Sequence, residues 1–305
     1  VYRFLQSERI DWIRFLSTLA RTIIDRISPL TSESRRSVFI IDDSFYDRSR
    51  SKKAELLTKV YDHAKHVYGY GYRLLTLGWS DGNSFIPVNF CLMSSKDTKK
   101  QLAGEKQKQY QAAKTRRALA QQAAPDTALA LLKQAKAAGI KATHVLFDSW
   151  FSFPAMILSV AELGYHTIAM VKKSKKIYYE FNGKRQSVKD IYKQCKKRRG
   201  RSRYLLSVSV FAANKDNCRI PARLVFVRNR SNRKDYLVLI STDMELTEDE
   251  IIQTYGKRWA IEVYFKIAKS YLRIVKGCSS LSYDAITAHT AIVFSQFMML
   301  AEYQR

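Results

Sequence analysis

Residues 37–43 read SVFIIDD, a short β-branched apolar run that ends in two acids. A run of this length and composition is a buried strand. THVLFD, at 143–148, has the same form and again ends on an acid. In an open α/β sheet, neighbouring parallel strands bring their C-terminal ends to one edge. Asp43 and Asp148, 105 residues apart in the chain, are therefore expected side by side.

The segments around these two strands support an α/β reading. Residues 1–28 carry Trp12, Phe15, Leu16 and Leu19 at helical spacing. Between Gly69 and Ser95, two β-like runs flank Asp81-Gly82, a tight-turn signal that predicts a hairpin. Gly104 to Ala138 is expected to be helical with a break at Pro125, and Gly139 is placed to end it. A helix from about Pro154 to Leu163 and a strand HTIAMV (166–171) follow Asp148. The order is three strands, helix, strand, helix, strand.

After Val171 the composition changes. Residues 172–234 hold 21 Lys or Arg against three acids, a surplus of 18 out of a net charge of +26 for the 305-residue chain. The apolar segments here are short and β-like, and KKRRGRSR (196–203) is the most basic point. Such a surplus calls for a polyanion, and nucleic acid comes first because each neutralised phosphate releases counterions. Lys196, Lys197, Arg198 and Arg199 are the candidate phosphate contacts. The basic residues are not confined to one amphipathic helix, which ranks a membrane surface lower. The apolar stretch 285–300 is interrupted by His289, Ser295 and Gln296, so it reads as a core helix.

Cys91, Cys195, Cys218 and Cys278 lie far apart without a C-x-x-C pair. They read as free thiols in a reducing compartment, with no zinc site. His63 and His66 read as ordinary surface or core histidines. Val1 is not an initiator, so the segment is expected to begin inside a longer protein, with a DNA-recognition region before it and a tail after Arg305.

A strand DYLVLIST (235–242) is followed by Thr247-Glu248-Asp249-Glu250, a capping-box pattern that opens a helix. On that helix YGKRWAIEVYFKIAK (255–269) sets Tyr255, Arg258, Glu262 and Lys269 at offsets of three, seven and fourteen. A straight helix would hold all four within an arc of roughly 60° along about 21 Å. By spacing alone, an Arg258–Glu262 pair is also common helix-surface chemistry.

The Tyr-x2-Arg-x3-Glu-x6-Lys pattern resembles the signature of IS4-type insertion-sequence transposases at all four positions. IDDS (41–44) and FDSWF (147–151) are similar to that family's first and second Asp segments, and a basic β-rich insertion before the Glu is also characteristic. The resemblance runs from about residue 36 to about residue 272. It implies an RNase H-like fold with a mixed five-stranded sheet flanked by helices. The expected domains are an N-terminal helical segment (1–36), a discontinuous core (37–171 and 235–305) and the insertion (172–234).

It also implies a DDE triad of Asp43, Asp148 and Glu262 holding Mg²⁺, or Mn²⁺ in its place. Tyr255, Arg258 and Lys269 would contact the DNA backbone. The family's motif sets its ligand directly before Ser or Thr, which favours Asp43; Asp42, on the opposite face of the strand, is the alternative. Trp150, Phe151 and Trp259 are expected to pack in the core, with stacking on an unpaired base as the rival role.

The implied activity is cleavage and strand transfer at terminal inverted repeats and target DNA, by a homodimer on the bacterial or archaeal nucleoid in the cytoplasm. The alternatives are an RNase H-like nuclease and an inactive DNA-binding derivative.

Overall fold

The structure is a computed structural model of the whole chain; it describes every residue except 1, 33, 34, 63, 64, 201, 215–217, 230, 231, 233 and 234. His63, Arg201 and Asp216 thus lie outside the described residues. In chain order the elements are α1 (Tyr2–Leu5), α2 (Trp12–Ile27), β1 (Val38–Asp47), β2 (Thr58–Asp62), β3 (Val67–Ser80), β4 (Phe85–Met93), α3 (Gln111–Ala120), α4 (Ala124–Ala137), β5 (His144–Phe147), α5 (Pro154–Glu162) and β6 (His166–Met170). They continue as β7 (Tyr179–Phe181), β8 (Lys184–Gln186), α6 (Val188–Gln194), β9 (Tyr204–Ala213), β10 (Arg219–Arg228), β11 (Tyr236–Ser241), α7 (Glu248–Gly256), α8 (Trp259–Ser270) and α9 (Tyr283–Tyr303). The architecture is mixed α/β, with a large mixed sheet flanked by helices.

The chain forms two compact units. The first comprises Val1–Arg35, Ile41–Lys141 and Ala260–Arg305, and the second Arg36–Ile40 and Ala142–Trp259. Strand β1 contributes its opening residues to the second unit and the rest to the first.

In the first unit β3 is the long central strand, antiparallel to both β2 and β4. The β3–β4 hairpin turns through four residues rather than two. Asp81 Oδ1 accepts from the backbone N–H groups of Asn83 and Ser84 at 2.8 and 2.7 Å, and Gly82 supplies a φ of +98°. β4 is buried along its whole length. Helix α2 opens on Asp11, which accepts from Arg14 N–H at 3.0 Å, and buries Trp12, Leu16, Ile23 and Ile24 while Phe15 stays exposed. The expected break at Pro125 divides α3 from α4, where the proline stands in the first turn and its missing N–H costs nothing. β2 has no counterpart among the expected strands: LTKVYD carries too little apolar period to be read.

In the second unit β5 and β6 are parallel, and β11 is antiparallel to β6. β10 then pairs β11, β9 pairs β10, and β7 with β8 follows. The basic segment thus extends the sheet of its own unit by a long β9–β10 hairpin. α7 begins with the capping box, Thr247 and Glu250 each bonding the other's backbone N–H.

Among the described residues no helix is long and apolar enough to cross a membrane. The four cysteines are unpaired, and burial pushes the Cys91 thiol up to about 12.

Candidate functional site

β1 does not stop at its acids. It runs four residues past Asp43, because the long β3 offers a partner beyond them. The glycines of β3 allow this close approach. A Cβ at Gly71 would stand 2.1 Å from the Tyr46 carbonyl oxygen, and one at Gly69 would stand 2.7 Å from the Phe45 ring.

Successive side chains of β1 leave opposite faces. Ser44 Oγ accepts from Lys269 Nζ at 2.6 Å, and the Tyr46 hydroxyl donates to the Ile274 carbonyl at 2.7 Å. Arg48 donates to the carbonyls of Cys278 and Ser280. The end of α8 and the chain beyond it therefore track β1 on that face. On the other face Phe45 covers Gly69 and Gly71, and Asp43 is ion-paired with Arg73 of β3. Asp42 Oδ1 accepts the Asp43 N–H at 2.8 Å. Burial holds the Lys269 ammonium below the ordinary lysine value, against the pull of Asp62 and Asp47 and with a push from Lys65.

The signature does not lie on one straight helix. α7 ends at Gly256, and α8 begins at Trp259. The intervening N–H groups of Lys257 and Arg258 bond back three residues, to Thr254 and Tyr255, at 3.1 and 3.0 Å. Glycine is a poor helix former, and such tightening is usual where an α-helix terminates. Tyr255 therefore sits on α7 and Arg258 in the turn, both in the second unit. Glu262 and Lys269 share α8 in the first unit.

Asp148 belongs to the second unit and directly follows β5, where its Oδ1 accepts the Trp150 N–H at 2.9 Å. The three aromatic residues near the acids divide. Phe151 is 1% exposed and packs edge-on to Phe147, whereas Trp150 and Trp259 are 52% and 65% exposed. Core packing holds for Phe151 alone. Trp150 lies in the turn after β5, and Trp259 opens a helix whose buried positions are Ile261, Tyr264, Phe265 and Ala268.

Among the four expected phosphate contacts, Lys196, Arg198 and Arg199 are exposed and Lys197 is half-buried. Lys197 Nζ lies 4.6 Å from the Tyr192 ring centre, and the Arg198 guanidinium lies 4.6 Å from that of Tyr204. Such contacts orient a cation without removing its charge. Arg228, not singled out in the sequence, holds the loop from beneath by donating to the carbonyls of Ser202 at 2.8 Å and Gly200 at 2.9 Å. Arg73 was likewise missed, although a charged residue inside the apolar run of β3 is its signal.

Among the described residues, no group of three or more His, Cys, Asp or Glu side chains is arranged to hold a metal ion. Of the expected triad, Asp43 and Glu262 belong to the first unit and Asp148 to the second. These donors are all hard carboxylate oxygens, the chemistry that suits Mg²⁺ or Mn²⁺.

Comparison with curated proteins finds no match. A family model, DDE superfamily endonuclease, matches residues 1–229, a span that holds both aspartate segments and ends before the Glu262 helix. That match covers most of the chain, which therefore belongs to the DDE superfamily endonucleases.

Proposed function

We propose that the chain is a DNA transposase similar to the IS4 type, cleaving and joining DNA at terminal inverted repeats. The observation that carries this reading is the Lys269–Ser44 bond, which ties α8, the helix of Glu262 and Lys269, to the residue that follows the acid pair of β1. Nothing in a plain helix-surface role asks a half-buried lysine to take that position.

The metal-binding acids are Asp148, Glu262 and one of the Asp42–Asp43 pair. When bound there, Mg²⁺ or Mn²⁺ would activate a water or 3′-hydroxyl and stabilise the leaving oxygen. Tyr255, Arg258 and Lys269 meet the DNA backbone near the cleaved end. Lys196, Lys197, Arg198 and Arg199 track phosphates farther along, and Arg228 keeps their loop in shape. Trp150 and Trp259, exposed rather than packed, offer rings to unpaired bases. The chain works as a homodimer on two DNA ends.

The test is cleavage of a labelled duplex carrying the element's own end, with Mg²⁺ or EDTA. Metal-dependent nicking is expected from the wild type, with none from Glu262→Gln or Asp148→Asn and binding of the duplex nearly unchanged. Wild-type nicking by Glu262→Gln would sink the triad. A nuclease is the second reading, because the family match stops short of the signature helix. It predicts nicking without strand transfer to a second duplex.

A further inference from the structure

We infer that the outer face of the β2–β3 ribbon binds unpaired bases of single-stranded DNA, which stack on Tyr68 and its tyrosine neighbours. This surface includes none of the residues given a role in cleavage above and none of the basic loop 196–203.

The two strands pair with Lys59 opposite Tyr70 and Tyr61 opposite Tyr68. Alternation puts these four side chains on one face of the ribbon and Thr58, Val60 and Asp62 on the other. Burial follows that division. Thr58, Val60 and Asp62 are buried, whereas Lys59 and Tyr68 are exposed and Tyr61 and Tyr70 half-buried. The inner face is packed, with Phe45 over Gly69 and Gly71. The outer face goes under cover only at Tyr72, which is fully buried, donates its hydroxyl to the Glu55 carbonyl and packs edge-on to Tyr283. Along the same face Tyr70 and then Tyr68 come out toward solvent, and Tyr68 is 65% exposed.

These rings are held in place without being covered. Tyr61 and Tyr68 meet edge to face with ring centres 5.0 Å apart, and the Lys59 ammonium lies 4.9 Å from the Tyr68 ring centre. The ribbon's own apolar contacts are on its inner face, so the outer tyrosines are not needed to close a core.

Charge selects the occupant. Among the described residues from 48 to 71, the exposed side chains charged at neutral pH are Arg50, Lys52, Lys53, Lys59 and Lys65, all cations. The acids of this stretch, Glu55 and Asp62, are 5% and 8% exposed. Asp47, the acid just before it, turns Oδ1 to the Ser49 N–H at 2.9 Å. Rings among cations fit a polyanion that also offers ring faces. An unpaired strand does so, whereas the bases of a duplex stack on one another and present only their edges.

The test is fluorescence anisotropy of a labelled oligothymidylate with the full chain in EDTA, beside a blunt duplex of the same length. Tyr68→Ala is expected to weaken oligothymidylate binding by about ten-fold and duplex binding by less than about two-fold. The slope of log K against log salt should not change, because a stacked ring releases no counterion. Tyr68→Phe should keep the wild-type affinity, because the ring stacks without its hydroxyl. In the wild type, an oligonucleotide carrying bromodeoxyuridine should photocrosslink to Tyr68 or Tyr70, a readout that needs no variant to fold.

Unchanged oligothymidylate affinity in both Tyr68→Ala and Tyr68→Ala/Tyr70→Ala would overturn the inference. So would an equal loss on oligothymidylate and duplex, a loss in Tyr68→Phe as large as in Tyr68→Ala, or crosslinks confined to residues outside 59–70. A wild type that binds the duplex but not oligothymidylate overturns it as well and leaves metal-dependent cleavage to its own test.

Discussion

Around Asp284 in the first unit, charges that leave water are closed into pairs. Asp284, 1% exposed at its side chain, takes Arg116 at 2.8 Å, Arg117 at 2.8 Å and Lys108 at 3.1 Å. Arg117 reaches on to Glu55 at 2.9 Å, and Glu55 also accepts the N–H groups of Lys106 and Tyr283. In the basic segment of the second unit, cations sit over aromatic rings, as Lys197 does on Tyr192 and the exposed Arg198 on Tyr204. A buried charge must be compensated inside the fold. The exposed surplus has no such requirement and is available to a polyanion. A buried arginine and an exposed one therefore mean different things.

The strongest way to break this contrast is Asp284→Ala. It leaves Arg116 and Arg117 buried with too little negative charge, and a loss of about 3–5 kcal/mol is expected in urea unfolding. Paired substitution of Lys196 and Arg199 by Gln should leave that unfolding curve in place. A comparable destabilisation from the pair would end the distinction.

A smaller effect sharpens the surface half of the comparison. The Lys196→Gln/Arg199→Gln variant is expected to lower the slope of log K against log salt for DNA binding by about 1.8, at roughly 0.9 for each phosphate no longer neutralised. Arg228→Gln instead removes the loop's support at Ser202 and Gly200. Weaker binding with the slope unchanged is expected there. If its slope falls as well, Arg228 itself meets a phosphate.

The smallest effect concerns a buried histidine of the second unit. Burial holds His144 below the ordinary value of 6.5 against the pull of Asp243, with His166 and Arg36 pushing the same way as burial. A depressed histidine means that the unfolded chain takes up the proton first. Its contribution is complete above 6.5 and declines as pH falls from there through the folded value. His144→Gln should flatten that decline in unfolding curves measured between neutral pH and about pH 5. An unchanged pH dependence would remove His144 as its source.

Much of the scaffold was legible because the signals were local. The apolar runs at 37–43 and 143–148, Pro125, the Asp81-Gly82 turn and the Thr247 capping box each act within a few residues. β2 escaped because Thr58–Asp62 is held by pairing with β3 rather than by its own pattern. The straight signature helix failed at Gly256, where a regular period was assumed across a poor helix former. Trp150 and Trp259 were misplaced because a large apolar side chain is usually covered, and nothing in their neighbours says otherwise.

By itself the sequence determined the residue types that make the chemistry: carboxylates following or within buried strands, a lysine seven residues after a glutamate, and a basic surplus concentrated in 172–234. Those follow from composition and spacing along one chain. Only the tertiary structure decided which β1 side chain meets Lys269, which tryptophans reach solvent and which arginine braces the basic loop. Alternation along a strand states that Asp42 and Asp43 diverge but not which side a distant helix will cover. That choice is made by packing between segments more than 200 residues apart, Ser44 against Lys269 and Tyr46 against Ile274.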